Sequence, residues 1–316
     1  MKTEIPDNLR SDLPPNVWGK ILGATPVVMT VVATALAGLA SSEMTRAQYD
    51  RSLAAQLQSK AGDQWGLFQA KRMRGALERG SLDLLSSSFE LHPPDVAALA
   101  QVLGPSPAKD ELQGFLTSNE GQGALESLRN GSLPAAAGVH ALGRSIAAAT
   151  EAVESLAPEA EVSHLLAPIP DADLNSALRS AGAELGTFDR SMQPASRLLS
   201  LLGTALAQQG AGADLAVKRD VTAARLRLDA QRYDAEARLN RALANIYELQ
   251  VRKGNLSAER HHLRSQQFFY GMLGAQMAVI IATFAIAARR RSLLWSLAAA
   301  AGAGAVMFAI YVYVSI

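Results

Sequence analysis

The sequence predicts an all-α membrane protein, in which three transmembrane helices are combined with a long antiparallel helical hairpin and an inserted small helical head. Three observations support this fold class: three long uncharged apolar runs, a seven-residue apolar repeat, and the lack of any strand pattern. Ala, Leu and Ser dominate the 316 residues, and no convincing run of alternating β-branched residues occurs. This composition favours helices over sheets.

The apolar runs are long enough to cross a bilayer. They cover residues 21–40, 268–288 and 293–314, and none contains a charged residue. A transmembrane helix needs roughly 20 such residues. The first run is a poor signal peptide, because Glu4, Asp7 and Asp12 accompany the basic residues before it. We therefore expect all three runs to be retained as membrane anchors.

The orientation is predicted from the short segment between the second and third runs. Residues 289–292 contain Arg289, Arg290 and Arg291, and short arginine-rich loops stay on the cytoplasmic side of a membrane. Residues 1–20 then form a cytoplasmic tail, and residues 41–267 lie outside the cytoplasm. The predicted location is the bacterial inner (cytoplasmic) membrane, with a large domain in the periplasm.

Two long helices are predicted next to the membrane. Between residues 213 and 267, every seventh position is apolar, and no Pro occurs from 213 to 316. The repeat consists of Val221, Leu228, Ala235, Ala242, Leu249, Leu256 and Leu263. It predicts a descending helix that runs straight into the second span and buries one face against another helix, as in a coiled coil.

The predicted partner of this helix is an ascending helix at residues 41–91. Its apolar residues recur at helical spacing: Tyr49, Leu53, Leu57, Leu67, Phe68, Met73, Ala76 and Leu77. Because the two helices have similar lengths and each is rooted in a span, we expect them to pack antiparallel along these apolar stripes.

Residues 92–212 are interrupted by turns rich in Pro, Gly, Asn and Ser. The sequence between these turns predicts shorter helices at 95–103, 109–128, 134–156, 171–189 and 194–208. We interpret this region as a helical head inserted at the tip of the hairpin.

A motif on the ascending helix resembles a known pattern. Residues 63–71 read DQWGLFQAK, which is similar to the DQW-x-x-x-QAK motif of a bacterial family of three-span membrane proteins of unknown function. Members of that family have one span, a long helix that carries the motif, and a transmembrane hairpin near the C-terminus. The resemblance implies this architecture and no biochemical activity. Residues 92–212 look like an enlargement of this chain.

Two short patterns each allow two interpretations. Trp65, Phe68 and Gln69 lie on neighbouring strips of one helix, either packed against the partner helix or exposed as a patch that recognises another protein. Gly302 and Gly304 lie in the small-residue run of the third span. Small residues let helices approach closely, either within this chain or against another membrane subunit.

The sequence offers little that could perform catalysis. It contains no cysteine, which excludes disulfides and thiolate chemistry. None of the five histidines pairs with another at the four-residue spacing of a helical metal site. Carboxylates such as Asp229, Asp234 and Glu236 alternate with Arg, as on a solvated helix face. We expect no enzyme activity, no metal and no cofactor, and for His261 and His262 contact with lipid headgroups.

Two functions remain open. The first is a non-catalytic accessory or scaffold subunit of a larger membrane assembly, with a respiratory or photosynthetic complex as one host. The alternative is a periplasmic ligand-sensing or binding module on a helical stalk. In both cases the expected partners are membrane lipid and other membrane-protein subunits or a second copy. A net charge of +1 gives no reason to expect a nucleic acid.

Overall fold

The computed structural model describes residues 17–94, 107–134, 143–208, 215–287 and 291–315, and every regular element within them is an α-helix. The all-α prediction is therefore confirmed. The helices of this described part are α1 (Val17–Ser88), α2 (Pro107–Leu116), α3 (Asn119–Asn130), α4 (Arg144–Glu154), α5 (Glu159–Leu166), α6 (Asp171–Gln208), α7 (Leu215–Ala287) and α8 (Arg291–Ser315). Helices α1, α7 and α8 each contain a stretch long and apolar enough to cross a membrane, as predicted.

The chain divides into two compact units. The first unit contains residues 1–55 and 252–316, and the second contains residues 56–251. The apolar stretches of α1, α7 and α8 belong to the first unit, whereas α2 to α6 belong to the second. The long helices α1 and α7 contribute residues to both units.

The core of the first unit is formed by the three apolar helices. Its buried residues come from all of them: Ala33, Leu36, Ala40, Phe268, Ala275, Ala305 and Val312. Pro26 lies inside α1 without ending it. The hydroxyl of Thr30 donates a hydrogen bond to the carbonyl of Pro26 at 2.8 Å. Apolar helices tolerate an interior Pro, although it removes the N–H that would bond the carbonyl four residues earlier.

Small residues form the contact between α1 and α7 in the first unit. On α1, Ala at every seventh position is buried: Ala33, Ala40, Ala47 and Ala54. The hydroxyl of Ser265 donates to the carbonyl of Ala40 at 2.7 Å. A Cβ added to Gly254 would lie 3.3 Å from the Cβ of Ala54. Because residues further along α1 meet residues earlier in α7, the two helices pair antiparallel at close range.

The same two helices also pair antiparallel in the second unit. Lys71 of α1 forms an ion pair with Glu236 of α7, and the guanidinium of Arg219 lies 5.2 Å from the ring of Phe89. Between these contacts, a Cβ added to Gly75 would lie 3.4 Å from the carbonyl oxygen of Ala230. Gly75 therefore permits a backbone approach that a larger residue would obstruct.

In the second unit, the seven-residue apolar repeat of α7 does not pack against α1 as predicted. Val221, Leu228 and Ala235 of the repeat belong to a core cluster with residues of α2, α3 and α6, and no buried residue of α1 belongs to this cluster. A different line of α7 residues is also buried: Ala223, Ala230, Ala237 and Ala244. One of them, Ala230, lies beside Gly75 of α1. The expectation that the apolar repeat of α7 contacts the ascending helix was therefore wrong in the second unit. Leu263, at the end of the repeat in the first unit, is 41% exposed.

The helix predicted at residues 109–128 is observed as two helices. Residues 109–128 were expected to form one helix, but α2 ends at Leu116 and α3 begins at Asn119. The hydroxyl of Ser118 accepts a hydrogen bond from the amide of Gly121 at 3.0 Å, which caps α3. At the other end of α3, Gly131 has a φ of +59°, a conformation that glycine adopts readily at a helix C-terminus.

Helix α6 replaces two predicted helices. It runs from Asp171 to Gln208 with Pro194 inside it, whereas a break was expected before this proline. Met192, Ala195 and Leu198 are all buried in the same cluster. This packing on both sides of the proline offsets the lost backbone hydrogen bond.

Two more helices of the second unit differ from the prediction. The sequence did not predict α5. The predicted helix 134–156 is observed only as Arg144–Glu154, because residues 135–142 lie outside the described part. The helix predicted at 95–103 lies outside it as well.

Candidate interaction surface and polar seam

The motif segment 63–71 lies on α1 in the second unit, and its side chains divide between two faces of the helix. Gln64 and Lys71 are partly buried towards α7, whereas Gly66, Gln69 and Ala70 are exposed on the other side. Residues seven apart share one face of a helix, which explains why Gln64 and Lys71 point the same way. The motif therefore has a partly buried polar side, with Gln64 and Lys71, and an exposed side, with Gly66, Gln69 and Ala70.

The two aromatic residues of the motif pack on each other. The rings of Trp65 and Phe68 have centroids 5.5 Å apart and meet at 79°, in an edge-to-face arrangement that is favourable for aromatic pairs. The guanidinium of Arg72 lies 6.0 Å from the ring of Phe68. Both aromatic side chains are half-buried, whereas Gln69 is exposed. Of the three suggested interaction residues on α1, only Gln69 is thus freely presented.

A set of charged residues, which we call the polar seam, lies where α1 meets α7. It consists of Lys71, Asp229, Arg232 and Glu236. Lys71 pairs with Glu236, and Arg232 lies 3.4 Å from Asp229 and 3.5 Å from Glu236. Residue Asp229 is 7% exposed and Glu236 is 8% exposed. The sequence-based assignment of these carboxylates to a solvated face was therefore wrong, because their partners lie three and four residues away and on the neighbouring helix.

An aromatic ring and a second ion pair extend the polar seam. The ring of Tyr233 has the ammonium of Lys71 5.4 Å from its centroid and the guanidinium of Arg232 at 4.8 Å. Arg79 forms an ion pair with Asp234, on the same side as Gly75. A Cβ at residue 75 would lie 3.2 Å from Oδ1 of Asp234, which explains why α1 has a glycine at this position.

Helix α4 contacts α7 through a separate group of hydrogen bonds. Glu154 accepts hydrogen bonds from Arg241 at 3.0 Å and from the amide of Asn245 at 2.7 Å. Several buried amide oxygens accept no hydrogen bond within the described residues. Three are on α7, Asn240 Oδ1, Asn245 Oδ1 and Gln250 Oε1, and one is on α1, Gln64 Oε1. The contacts of α7 are thus more polar than its apolar repeat suggested.

The side of α1 that faces away from α7 carries large apolar residues. Leu67 is 45% exposed, Met73 66%, Leu77 65% and Leu84 72%. Leu67, Met73 and Leu77 were expected to pack on the second long helix, and this expectation was wrong. In the first unit, Tyr49 and Leu53 of the same predicted stripe are also exposed. The buried line of α1 consists instead of alanines and Gly75.

We define the outward face of α1 by eight positions in the second unit, separated alternately by three and four residues. These positions are Lys60, Asp63, Leu67, Ala70, Arg74, Leu77, Ser81 and Leu84, all of which are exposed. A 3–4 alternation keeps residues on one side of a helix. Four of these residues are apolar, Leu67, Ala70, Leu77 and Leu84. Several exposed leucines on one side of a helix make that side a candidate for interaction with another molecule.

A groove lies elsewhere in the second unit, between α3 and α6. Its volume is about 510 Å³, and it is open to solvent on one side. The lining is mixed in polarity: Asn119, Glu120, Gly123, Ala124, Glu126, Ser127, Ser132, Leu133, Pro134, Ser191, Pro194 and Ala195. The volume is within the range of small-molecule sites.

The small-residue run of α8 meets α1 at one glycine only. A Cβ added to Gly302 would collide with the side chain of Met29, whereas one added to Gly304 would meet nothing within 4 Å. Packing within the chain therefore accounts for Gly302, and Gly304 is open. The predicted orientation signal lies mostly beyond the described residues, because Arg289 and Arg290 are outside them and Arg291 is only the first residue of α8.

The histidines of α7 contact other protein groups. Nδ1 of His261 lies 2.5 Å from Oε2 of Glu43, and both side chains are largely buried. Nε2 of His262 lies 3.0 Å from Nε2 of Gln266. Glu43 also lies 3.3 Å from Arg46. Headgroup contact is thus not needed to explain His261. Within the described residues, no group of three or more His, Asp or Glu side chains is arranged to hold a metal ion.

Comparison with known protein families finds a similarity over part of the chain. A family model described as a domain of unknown function, DUF4337, matches residues 18–109. This match includes α1 and the segment DQWGLFQAK. No curated protein and no solved structure matches the chain.

Proposed function

We propose that this chain is a non-catalytic, membrane-anchored helical scaffold or accessory subunit, which docks onto a partner through the outward face of α1. The main support for this proposal is that Leu67, Leu77 and Leu84 are exposed, although the other side of α1 packs against α7. Exposed leucines at helical spacing cost free energy in water and gain it when a partner covers them.

The rest of the structure is consistent with a scaffold. The apolar stretches of α1, α7 and α8 supply anchors for a bilayer. The polar seam consists of paired charges that stabilise helix contacts, and its lysine and carboxylates are already engaged. We propose that the site of attachment is the inner membrane of a bacterium, with the second unit in the periplasm.

Purification in mild detergent tests the docking proposal. The wild-type protein should elute with a second protein in fixed stoichiometry, or as a homo-oligomer, when analysed by light scattering and mass spectrometry. A Leu77→Glu/Leu84→Glu variant should elute as a monomer, because charge on this face opposes desolvation. A Thr222→Glu/Gln231→Glu variant, altered at exposed positions of α7, is the matched control and should behave like wild type. A wild-type protein that is a lone monomer would contradict the proposal.

The orientation of the chain in the membrane requires a separate measurement. Because the sequence contains no cysteine, a single introduced cysteine is its only reactive thiol. A single cysteine at Gly186, which is exposed on α6, should react with a membrane-impermeant maleimide in intact spheroplasts. A cysteine at Ser11 in the N-terminal tail should react only after the membrane is permeabilised. The opposite pattern would place the second unit in the cytoplasm.

A ligand-binding module is the second candidate function, and the groove between α3 and α6 favours it. Gly123 lines this groove, and a Cβ added there meets nothing within 4 Å. A Gly123→Trp substitution would therefore fill the groove without displacing the helices. If the groove holds a ligand, native mass spectrometry of the membrane-extracted protein should show a bound small molecule that this variant loses. Identical masses for the two proteins, apart from the substitution, would exclude this function.

A further inference from the structure

We infer that Arg260 and Arg264 of α7 bind the phosphate group of an anionic phospholipid at the end of the membrane-spanning stretch. The inference concerns the first unit, and it rests on the proposed function only for the attachment of the chain to a membrane. It does not involve the outward face of α1. Its basis is the position of the two arginines, their lack of counter-charges and an exposed tyrosine at the same level.

The two arginines lie where phospholipid headgroups would surround α7. Arg264 is the last charged residue of this helix, and the uncharged apolar run begins four residues later, at Phe268. At about 1.5 Å rise per residue, Arg264 lies roughly 6 Å beyond Phe268, and Arg260 lies roughly 6 Å further. The headgroup region of a bilayer is about 5–8 Å deep on each side. Arginine side chains are long enough to reach phosphates at this depth.

Both arginines lack a counter-charge within the described residues. They form no ion pair there, whereas two acidic residues of the same unit are engaged with other cations: Glu43 with Arg46 and His261, and Glu259 with Arg51. Arg264 is partly buried, and its Nε is covered by the protein without an acceptor in the part of the chain that the structure describes. Removing a guanidinium from water without compensation costs free energy. A phosphate would offset this cost through charge-assisted hydrogen bonds.

The spacing of the two arginines suits a shared anion. They are four residues apart, so their side chains leave the helix within about 40° of each other and can converge. Like charges at this spacing destabilise a helix, and a phosphate between them replaces the repulsion with two attractions. Gln267 lies on the same side, three residues after Arg264, and its amide can donate to a further phosphate oxygen.

An exposed tyrosine of α8 lies at the same level as the arginines. A Cβ added to Gly271 of α7 would lie 3.8 Å from Phe308 of α8, and one added to Gly274 would lie 3.7 Å from Ala305. The two helices are therefore antiparallel, and residues of α8 after Phe308 lie beside residues of α7 before Gly271. Tyr311 is one of these, and it is 60% exposed. Tyrosines are enriched at the boundary between hydrocarbon and headgroups, which supports a headgroup position for the arginines.

Native mass spectrometry of the full chain in mild detergent tests the site. The delipidated wild-type protein should bind added phosphatidylglycerol at least roughly tenfold more tightly than phosphatidylcholine, because each basic residue near an anionic headgroup strengthens binding by roughly fivefold. The Arg260→Gln/Arg264→Gln variant should lose this preference. Arg46→Gln/Arg51→Gln is the matched control, since it removes two positive charges of the same unit that already have carboxylate partners. The control should keep the preference.

Two further measurements distinguish the lipid from other anions. Arg260→Lys/Arg264→Lys keeps both charges and should keep most of the preference, which would show that the glutamine variant fails through lost charge and not through misfolding. Inorganic phosphate at the same concentration should not displace phosphatidylglycerol, and displacement would assign the site to free phosphate. Equal binding of both lipids by the wild-type protein would overturn the inference. Loss of a copurifying protein from the glutamine variant, with lipid binding unchanged, would overturn it as well.

The two proposals fail in different ways. If the wild-type protein shows no lipid preference but elutes with a partner that Leu77→Glu/Leu84→Glu removes, the lipid site is wrong and the docking function stands. If the lipid preference is found but the wild-type protein elutes as a lone monomer, the docking function is wrong and the lipid site stands. A chain that remains in the soluble fraction of broken cells would contradict both.

Discussion

The two long helices α1 and α7 share one packed contact, yet their remaining surfaces differ. In the second unit, α7 also packs against α6 through Leu228 and Leu239, and its exposed residues include Arg225, Arg238 and Arg241. Helix α1 is buried mainly along one narrow line, at Ala61 and Gly75, and exposes Leu77 and Leu84. A helix whose apolar residues are all covered shows charge to the solvent. The exposed leucines on α1 are the basis of our proposal that a partner covers this face.

The shared contact itself is made by small residues. Ala61 on α1 and Ala237 and Ala244 on α7 are almost completely buried, although alanine contributes little apolar area. Small side chains allow the helix axes to come close, so the larger residues of each helix lie outside this contact. On α7 those larger residues are covered by α6, and on α1 they are exposed. The comparison predicts that similar substitutions in the two helices will have very different effects.

The largest difference should come from removing a leucine side chain from each helix. Leu228 of α7 is 1% exposed, whereas Leu77 of α1 is 65% exposed. Leu228→Ala should lower the free energy of unfolding by about 2–5 kcal/mol, because it leaves a cavity in the core. Leu77→Ala should change it by less than about 0.5 kcal/mol. Denaturant unfolding of the full chain in detergent, followed by circular dichroism at low protein concentration, measures both. Equal losses would remove the distinction between the two helices.

The next largest difference should separate buried from exposed ion pairs between α1 and α7. The side chains of Lys71 and Glu236 are 25% and 11% exposed, whereas those of Arg51 and Glu259 are 51% and 58% exposed. Glu236→Ala leaves Lys71 without its carboxylate and Arg232 with Asp229 alone, and should cost about 2–3 kcal/mol of unfolding free energy. Glu259→Ala should cost less than about 1 kcal/mol. The same unfolding experiment measures both losses. If Glu236→Ala does not lower the unfolding free energy, the polar seam does not stabilise the helix contact.

A smaller effect is expected where α1 approaches α7 most closely in the second unit. Gly75→Leu places a side chain against Asp234 and the carbonyl of Ala230, and should destabilise the protein by about 1–3 kcal/mol through overpacking. Gly186→Leu on α6 is the control, since a Cβ there meets nothing within 4 Å. It should be neutral or stabilising by up to about 1 kcal/mol, because leucine favours helix more than glycine does. Melting temperatures that fall equally for both variants would contradict the close approach.

The smallest effect is predicted for the first unit, at Glu43 and His261. A double-mutant cycle with Glu43→Ala and His261→Ala should give a coupling free energy of about 1 kcal/mol, since the two side chains are in contact. Arg46→Ala should couple more weakly with His261→Ala, because Arg46 is largely exposed. A coupling of zero between Glu43 and His261 would mean that their contact contributes nothing to stability.

Much of the fold could be predicted from the sequence because the signals were strong and local. Apolar runs of about 20 residues and the lack of proline from 213 to 316 indicated the membrane-spanning stretches and the continuity of α7. The interior Pro194 misled the prediction, because packing on both sides of it keeps α6 intact. The short break between α2 and α3 depends on the cap at Ser118, which a search for apolar repeats does not detect.

The interaction surface was harder to predict than the fold. A repeat shows which residues share a side of a helix, but not which neighbour covers that side. Leu67, Met73 and Leu77 were assigned to the contact with α7 because they are the most apolar residues of the stripe. The true contact is an alanine line, Ala33 to Ala61, whose signal in the sequence is the recurrence of small residues every seven positions. Glu236 was assigned to solvent because its pairing with Lys71 on another helix cannot be inferred from sequence spacing. Asp229 was assigned to solvent because spacing predicts its pairing with Arg232 but not the burial of that pair.

The central claim is that the outward face of α1 is covered in the native membrane, and cysteine accessibility tests it most directly. Leu77→Cys on α1 and Arg238→Cys on α7 are treated with a membrane-impermeant maleimide in permeabilised cells, and labelling is compared with that in denatured samples. We predict that Cys at position 238 is labelled almost fully under native conditions, whereas Cys at position 77 is protected until denaturation. Equal and complete native labelling at both positions would show that the face is free, and would contradict the account.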